Sequence, residues 1–398
     1  MRIAYVLGQF PSYTETFISN EIDELRRAGL RIDILSLNKN PSAPSSPSEV
    51  IYDCSFFEYR KIFAHFLIIK RFKLLYFLVL IEVIRKSGFS LRKIFKNVKN
   101  FSSSVFLIEQ IKYQEIGHIH AHFMSTPSSI AIILSKFLKI PFSCTGHAND
   151  IYTSSRKELI EKITYSKFVV TCTLFNKAYL SKLTVDKSKI IHVYHGIHLS
   201  KWIRKKTLCV LKNKKTINLL LVGRLVAKKG IIYLLEAIIL LQNSKYNVKC
   251  IIIGDGPEYN SLTSFIHKND LAEIVYLLPS MPQGQLQEFY QEADIFVLPS
   301  LIALDGDRDG LPNVLLEAMA VGVPIITTAI SAIGELIEDQ QTGLLIPPRN
   351  SAAIVEAIVR MIEDQDLYLH LFEVGEQRIK KFDIQESTKA LFKIFNEN

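Results

Sequence analysis

The sequence predicts an α/β protein with two Rossmann-like domains, because apolar runs of strand length alternate with helical patterns in two separate series. The first series contains the run 2–7, a helical pattern at 16–27 and a second run at 32–37. The second series begins with the run 217–222 and a helical pattern at 231–241. A chain of 398 residues is long enough for two domains of ordinary size.

The domain boundaries follow from where these series stop. We expect a first domain at 1–200, a linker at 201–216, a second domain at 217–375 and a helical segment at 376–398. The linker holds seven Lys and Arg and little apolar pattern, which is typical of an exposed connection.

Gly8 opens the loop after the first predicted strand, in the phrase GQFPSYTETF. In sheets of this kind, ligands bind outside the carboxyl ends of the strands, so Gly8 is a candidate ligand-binding residue. A plain turn, with Thr14 or Thr16 as the cap of the next helix, explains the phrase equally well.

The positive charge of the chain is concentrated in one segment. Residues 60–99 contain eleven Lys and Arg against one acid, Glu82, which gives +10, whereas the net charge of the whole chain is +9. A local excess of this kind argues against a general nucleic-acid binder.

This basic segment predicts helices that do not span a membrane, because its longest apolar run is only 74–81. At helical spacing, one face carries Leu91, Ile94, Phe95, Val98 and Phe101, and another carries Arg92, Lys93, Lys96 and Lys99. A basic amphipathic helix favours an anionic membrane surface as its partner. In the alternative interpretation, the apolar face packs on the domain core and the basic side chains are simply solvated.

Cysteine usage and the N-terminus predict a cytoplasmic protein. The five cysteines are scattered and include no C-x-x-C pair, so neither a disulfide framework nor a zinc site is expected. The first ten residues form a strand pattern without the long apolar region of a signal peptide.

Three histidines lie on predicted strands of the first domain or just after them. His120 and His122 alternate on one strand, but the sequence offers no third metal ligand at a sensible spacing, so we interpret them as hydrogen-bonded core residues. His147 follows the strand 141–144 and Gly146, at a carboxyl end, and is a catalytic candidate, with Asp150 as the residue that orients it. A buried structural histidine is the alternative.

The second domain begins with a predicted phosphate site. Arg224 and Lys229 follow the strand 217–222 and precede a helix, so a guanidinium fork, an ammonium group and backbone N–H groups converge on one place. After the next strand, Gly254 and Asp255 lie in a turn that allows a close approach to a nucleotide.

The stretch 305–328 joins a loop, a helix and a strand. Pro312 fixes the start of the helix, and the exposed N–H groups at this end, around Gly310, Leu311, Pro312 and Asn313, favour an anion. Asp309 and Glu317 are eight residues apart, which separates them by roughly 12 Å along the helix axis.

This stretch, DGLPNVLLEAMAVGVPII, resembles the signature of the retaining family-4 nucleotide-sugar glycosyltransferases, which have the GT-B fold of two domains facing across a cleft. The phrase FPSYTETFISNEI is similar to the opening of the exopolysaccharide enzymes in that family. The resemblance implies that Glu317 binds the donor ribose and that Asp309, in place of the usual Glu, lies by the donor sugar. It implies a diphosphate site at Arg224 and Lys229, a catalytic role for His147, and a C-terminal helix that packs back on the first domain.

The implied activity is transfer of a sugar from a UDP- or GDP-linked donor to a saccharide acceptor in bacterial surface polysaccharide biosynthesis. We expect a lipid-linked acceptor, a peripheral position on the inner face of the membrane, and no nucleic-acid partner. The Asp-x-Asp at 305–307 resembles the metal site of the other glycosyltransferase fold, but a cationic clamp makes a metal redundant, so no cofactor is expected. A nucleotide-sugar epimerase and a non-catalytic membrane-bound scaffold remain as alternatives.

Overall fold

The computed structural model describes residues 1–12, 15–40, 50–204, 211–242 and 244–397. The chain divides into two units. Unit 1 comprises Met1–Cys172, Asn176–Tyr194 and Thr388–Asn398, and unit 2 comprises Thr173–Phe175 and His195–Ser387. The expected linker at 201–216 belongs to unit 2 where it is described, and its residues 205–210 lie outside the described residues.

The strands alternate with helices along most of the chain. The strands are β1 (Arg2–Phe10), β2 (Arg31–Lys39), β3 (Val50–Tyr52), β4 (His118–His122), β5 (Phe142–Gly146), β6 (Val169–Thr171), β7 (Ile190–His192), β8 (Ile217–Val222), β9 (Val248–Ile253), β10 (Val275–Leu278), β11 (Ile295–Leu298), β12 (Ile325–Thr328) and β13 (Leu344–Ile346). The helices are α1 (Thr16–Arg27), α2 (Tyr59–Phe72), α3 (Leu74–Lys86), α4 (Leu91–Ile111), α5 (Thr126–Leu138), α6 (Ala148–Thr153), α7 (Arg156–Tyr165), α8 (Leu174–Ser181), α9 (Ile231–Gln242), α10 (Tyr259–Lys268), α11 (Gln283–Glu292), α12 (Asn313–Val321), α13 (Ser351–Glu363), α14 (Gln365–Ile379) and α15 (Ile384–Glu397).

Each unit contains one sheet, and the named strands of both sheets pair in parallel. The order is β3-β2-β1-β4-β5-β6-β7 in unit 1 and β10-β9-β8-β11-β12-β13 in unit 2. The prediction of two Rossmann-like α/β units is confirmed.

Strand order also predicts where ligands bind. In each sheet the order reverses beside the first strand, between β1 and β4 in unit 1 and between β8 and β11 in unit 2. Crevices at such reversals, at the carboxyl ends of the strands, are the usual ligand sites of open α/β sheets. Ligand sites are therefore expected at the residues that follow β8 and β11 and at those around β1 and β4.

Alternation along β1 divides the core of unit 1 into two layers. Ala4 and Val6 belong to the cluster that contains residues of α2, α4 and α5. Ile3, Tyr5 and Leu7 belong to the other cluster, with residues of α1 and α15. Successive side chains of a strand point to opposite faces, so helices cover both faces of this sheet.

Gly8 is the one candidate whose local structure differs from the prediction. Strand β1 continues to Phe10, so Gly8 lies within the strand and not in a loop. It pairs through its carbonyl with Asn38, whose Nδ2 donates at 2.9 Å. The strand is longer than the apolar run because β2 pairs with it as far as Lys39, and backbone pairing does not require apolar side chains.

Among the described residues, no helix combines the length and the apolar character needed to cross a membrane.

Candidate active site

The turn after β8 brings three basic residues to the strand-order reversal of unit 2. Arg224 is exposed, whereas Lys228 and Lys229 are buried. Lys229 ends a short 3-10 turn that precedes α9. The turn therefore presents one solvated guanidinium beside two desolvated ammonium groups.

The two lysines are paired with the acidic loop that follows β11. The Nζ of Lys229 donates to Oδ2 of Asp309 at 2.8 Å, and the hydroxyl of Ser300 donates to the same oxygen at 3.1 Å. The Nζ of Lys228 lies 3.0 Å from Asp307 and 3.5 Å from Asp309. Burial alone would raise the pKa of Asp309, but the charges of Lys229 and Lys228 hold that pKa below its usual value. Asp309 is therefore ionised at neutral pH.

Gly254 and Asp255 shape the neighbouring loop after β9. A Cβ at Gly254, where φ is +157°, would lie 1.9 Å from the carbonyl oxygen of Gly223, so only glycine fits this close approach of two loops. The carboxylate of Asp255 accepts from the backbone N–H of Ser280 at 3.2 Å and from its hydroxyl. In this structure both residues join loops at the sheet edge, and their role towards a nucleotide stays a prediction.

Helix α12 begins where the sequence predicts. Pro312 occupies the cap position and Asn313 is the first helical residue, with Gly310 and Leu311 half-buried immediately before them. The helix ends at Gly322, whose φ of +77° is left-handed. The N–H groups at the start of a helix are suited to an anion.

Glu317 lies inside unit 2, on the buried face of α12. Its Oε2 accepts from the hydroxyl of Tyr290 at 3.0 Å, and its Oε1 accepts from Nε2 of Gln283 at 3.1 Å. Burial raises the pKa of Glu317 to about 7, although these two hydrogen bonds act in the opposite direction. The carboxyl group is therefore held in place by α11 and changes its charge near neutral pH.

The structure thus brings Lys229 and Asp309 into direct contact and places Arg224 in the same turn. Ser300 and Lys228 complete this group and were missed from the sequence. Lys228 is next to Lys229 in the sequence, but the surrounding sequence does not indicate that the Lys228 side chain is buried. Ser300 lies two residues after the end of β11, beside the strand-order reversal, so strand order alone could have indicated it.

In unit 1, His147 caps α6 immediately after β5. Its backbone N–H donates to Oδ1 of Asp150 at 2.9 Å, and Oδ2 of Asp150 accepts from the backbone N–H of Met124. Burial raises the pKa of Asp150 to about 7. Asp150 therefore fixes the backbone from which the His147 side chain projects.

The side chain of His147 belongs to a buried polar network that the sequence did not reveal. Its Nε2 lies 3.3 Å from Nδ1 of His122, and Nε2 of His122 lies 3.0 Å from Oε1 of Glu21. The hydroxyl of Tyr5 donates to the same Oε1 at 2.9 Å. Glu21 lies on α1, about a hundred residues from His122, and no local pattern links them.

His120 is a hydrogen-bonded core residue, as the sequence indicated for His120 and His122, and His118, which the sequence analysis did not single out, is another. His120 bonds Ser143 through Nδ1 at 2.8 Å and Thr145 through Nε2 at 2.9 Å, and Nε2 of His118 lies 2.7 Å from Ser143. Glu21, His120 and His122 offer ligand atoms within 4.8 Å of one another. A metal there would have to displace a hydroxyl from His120, and direct hydrogen bonds already account for the cluster.

Two family models match consecutive parts of the chain. The model described as "Glycosyltransferase Family 4" matches residues 14–201, which include Glu21, His122 and His147. The model described as "Glycosyl transferases group 1" matches residues 206–378, which include Arg224 and Glu317.

Curated relatives give the same result. A Bacillus subtilis protein named as a teichuronic acid biosynthesis glycosyltransferase, TuaC, is 30% identical over 292 residues, which are 69% of this chain and 68% of the relative. The amylovoran biosynthesis glycosyltransferase AmsK of Erwinia amylovora is 38% identical over 149 residues, which are 37% of each chain.

Solved structures extend the likeness over the whole chain. Sucrose-phosphate synthase from Thermosynechococcus elongatus has a TM-score of 0.77 at 16% identity, covering 100% of this chain and 98% of that one. HepE of Anabaena, solved in complex with UDP-glucose, has a TM-score of 0.73 at 15% identity and covers both chains fully. At such low identity, the likeness concerns the fold alone.

Proposed function

Because the chain belongs to family 4 of the glycosyltransferases and has the GT-B fold, we propose that it transfers a sugar from a nucleoside-diphosphate sugar to a saccharide acceptor with retention of configuration. The relatives named for teichuronic acid and amylovoran biosynthesis support a place in bacterial surface polysaccharide biosynthesis. The bound donor named for HepE, UDP-glucose, supports a nucleotide-linked donor here.

One observation carries the proposal: Arg224, Lys229 and Asp309 gather at the strand-order reversal of unit 2, and Lys229 and Asp309 are in direct contact. Departure of a nucleoside diphosphate places negative charge on its β-phosphate. Arg224, Lys229 and the N-terminus of α12 would stabilise that charge, and fixed charges in a desolvated site are effective at this task. Asp309 would then lie beside the donor sugar.

No metal is needed in this scheme. The loop acids that resemble a metal site already have partners, since Asp307 pairs with Lys228 at 3.0 Å and Asp305 accepts from the backbone N–H of Asp307 at 3.0 Å. Cationic side chains would do the work that a metal does in other transferases. We therefore propose that turnover persists in the presence of a chelator.

The lipid-linked acceptor is supported by the surface of unit 1. Helix α2 exposes an apolar stripe at spacings of three and four residues, formed by Tyr59, Ile62, Phe63 and Phe66, which are 59–77% exposed. Helix α3 repeats the arrangement with Leu74, Phe77, Leu78 and Ile81, which are 49–69% exposed. Apolar stripes that face solvent mark an interaction surface.

Basic side chains accompany these stripes. Of the eleven Lys and Arg in 60–99, ten are exposed, and Lys61 is buried in an ion pair with Asp53 at 2.7 Å. On α4, Leu91 and Phe95 are exposed beside Arg92, Lys93, Lys96 and Lys99, whereas Phe101 is buried. The apolar face of α4 is therefore divided between solvent and core. Exposed apolar and basic groups together suit an anionic bilayer, where a lipid-linked acceptor resides.

The proposed function is tested by presenting UDP-, GDP- and ADP-sugars to the protein and measuring its thermal unfolding. A donor at about a hundred times its Kd stabilises the folded state by about 2.7 kcal/mol. The stabilising donor is then supplied, labelled in its sugar, with a membrane-lipid extract. Label that moves to lipid only with the intact enzyme supports transfer.

The other outcomes identify the alternatives. Isomerisation of the donor sugar without acceptor would indicate an epimerase. A protein that binds anionic membranes but is stabilised by none of the donors would be the non-catalytic scaffold, and the proposed reaction would be wrong.

A further inference from the structure

Lys228 is a buried cation to which the proposed reaction assigns no role. Its Nζ lies 3.0 Å from Oδ1 of Asp307 and 3.5 Å from Oδ1 of Asp309. The other carboxylate oxygen of Asp309, Oδ2, lies 2.8 Å from the Nζ of Lys229. Two ammonium groups are therefore placed at different oxygens of one buried carboxylate.

The second cation matters because a buried carboxylate needs a compensating charge. Burial opposes the ionisation of Asp309, but the charges of Lys229 and Lys228, with hydrogen bonds from Lys229 and Ser300, hold its pKa below the usual value. If Lys229 turned towards a phosphate and Lys228 were absent, Asp309 would remain as a buried charge without a cation, which is unfavourable. A diphosphate and Asp309 would then compete for Lys229.

The turn after β8 and the loop after β11 are also joined by contacts that do not involve the Lys228 side chain. The backbone carbonyl of Lys228 accepts from the N–H of Leu301 at 2.8 Å. Gly230 packs so closely on Pro299 that an added Cβ would lie 2.1 Å from the Pro299 carbonyl oxygen. These backbone contacts do not depend on the ammonium group, so the charge of Lys228 can be removed without removing them.

We propose that Lys228 is a positioning residue that keeps the charge of Asp309 compensated while Lys229 binds the diphosphate of the donor. Lys228 need not touch the donor, because its ammonium group lies beside Asp307 and Asp309. It would act by reducing the free energy that is lost when Lys229 moves from Asp309 to phosphate. The role of Lys228 in donor binding rests on the proposed function, whereas its compensation of Asp309 does not, so the two are measured separately.

The first measurement needs no donor. Urea unfolding is compared for Lys228→Met, Lys229→Met and the variant with both changes. Each single variant keeps one ammonium group beside Asp309 and the double variant keeps none, so the double variant should lose more stability than the sum of the two single losses. Adding Asp309→Asn should restore part of that loss.

Additive losses of the two single variants would overturn the proposal, because Lys228 would then not compensate Asp309. A double variant that does not fold, when both single variants and the triple variant with Asp309→Asn fold, would support it.

The second measurement is the Kd of a nucleoside diphosphate, which has no sugar beyond the diphosphate for Asp309 to contact. UDP, GDP and ADP are titrated calorimetrically into wild type, and the one that binds most tightly is used for every variant. Lys228→Met should weaken its binding roughly tenfold or more. The matched control is Asp307→Asn, which removes the other carboxylate beside Lys228 but keeps both ammonium groups. Its Kd should be no weaker than about twofold above that of wild type.

The third measurement separates compensation of Asp309 from direct attraction of the diphosphate. In the Asp309→Asn background no carboxylate of residue 309 competes for Lys229, so adding Lys228→Met should change the Kd by no more than about twofold. An ammonium group that binds the diphosphate itself would cause the same loss in both backgrounds, and that result would overturn the proposal.

The remaining outcomes separate this role from others. Equal losses of binding in Lys228→Met and Asp307→Asn would mean that their ion pair only anchors the loop, which would also overturn the proposal. A wild type that binds none of the three nucleotides would refute the proposed function. The urea measurement would still decide whether Lys228 compensates Asp309.

Discussion

The Nζ of Lys229 lies 2.8 Å from Oδ2 of Asp309, and both groups are buried at the carboxyl edge of the sheet in unit 2. The lysine that we propose to bind phosphate and the acid that we propose to lie by the donor sugar thus form one ion pair. The ammonium group of Lys229 that would bind an incoming diphosphate is already paired with the carboxylate of Asp309. Arg224, in contrast, is solvated. Substitutions at Arg224 and Lys229 should therefore have different effects on the protein.

Arg224→Ala should weaken donor binding without affecting folding, because the side chain is exposed and no ion pair involves it among the described residues. Loss of one charge-assisted contact to phosphate costs about 1.5 to 3 kcal/mol of binding free energy. Calorimetric titration with the stabilising donor measures this, and Lys268→Ala, an exposed cation of α10, is the control. A wild-type Kd for Arg224→Ala would remove this residue from the donor site.

Lys229→Met should destabilise unit 2 as well as impair donor binding. Removing one partner of an isolated buried ion pair costs about 3 kcal/mol or more, and Lys228, 3.5 Å from Asp309, should reduce this loss because it still compensates part of the carboxylate charge. In Lys229→Met with Asp309→Asn, the carboxylate charge is gone, so part of the loss should be recovered. Urea unfolding of both single variants and the double variant measures the coupling. Additive losses would mean that the pair contributes nothing to folding.

Glu317→Gln should change how stability depends on pH. The pKa of Glu317 is raised from 4.5 to about 7 in the folded protein, so between these pH values the folded state binds more protons than the unfolded state. Its stabilising contribution is therefore present below about pH 4.5 and is lost as the pH rises towards 7. Gln cannot titrate, so the unfolding free energy of the variant should rise relative to that of wild type by on the order of 3 kcal/mol between pH 4.5 and pH 7.

Unfolding free energies at pH 4.5 and pH 7.5 test this prediction, and Glu288→Gln on the exposed side of α11 is the control. The pKa of Asp150 is also raised. Because wild type and variant both contain Asp150, its effect on the unfolding free energy cancels when the two proteins are compared. A stability difference that does not vary with pH would show that the carboxyl group of Glu317 is not desolvated. Donor binding should be lost in the same variant if Glu317 holds the ribose.

His147→Ala should lower turnover far more than donor affinity, since Arg224, Lys229 and Glu317, which we propose to bind the donor, lie in the other unit of the chain. A positioned catalytic histidine contributes roughly 100-fold or more. Steady-state kinetics and a donor titration of the variant separate the two effects. Lost donor binding together with a weakened near-ultraviolet dichroism signal would identify His147 as a structural residue.

The basic face of α4 should draw the protein to anionic liposomes. Each Lys or Arg near such a surface contributes about 1 kcal/mol, so changing Arg92, Lys93, Lys96 and Lys99 to Gln should weaken sedimentation with anionic vesicles. The same number of charges removed from exposed positions of unit 2 should not; these are Lys212, Lys268, Lys380 and Lys381. Binding should fade near 1 M salt, where the Debye length is about 3 Å. Equal binding to zwitterionic vesicles would refute an electrostatic attachment.

Strand and helix positions were predictable because each depends on a local pattern. The run 217–222 became β8 and the pattern at 16–27 became α1, both with the expected bounds. These segments end at glycines, prolines or polar turns that the sequence displays.

Side-chain partners were not predictable, because they join residues that are distant in sequence. The sequence around Glu317 does not indicate that its hydrogen-bond partner is Tyr290. The sequence around His122 likewise does not indicate Glu21 as its partner. His122 illustrates which part of a side chain's environment the sequence can predict. Its alternation with His120 correctly indicated a buried, hydrogen-bonded residue, but only the fold reveals that its partner is His147.

Helix α15 makes the first unit depend on a part of the chain that is synthesised after unit 2. Its Leu391 and Phe395 are buried in the core of unit 1, and the Phe395 ring lies 5.2 Å from His120 and 6.3 Å from Tyr5. A nascent chain that stops at Tyr194 has every strand of the first sheet, but α1 alone would cover the layer that contains Tyr5 only in part, because Leu391 and Phe395 are missing. During translation this unit must wait for all of unit 2 before its core is complete.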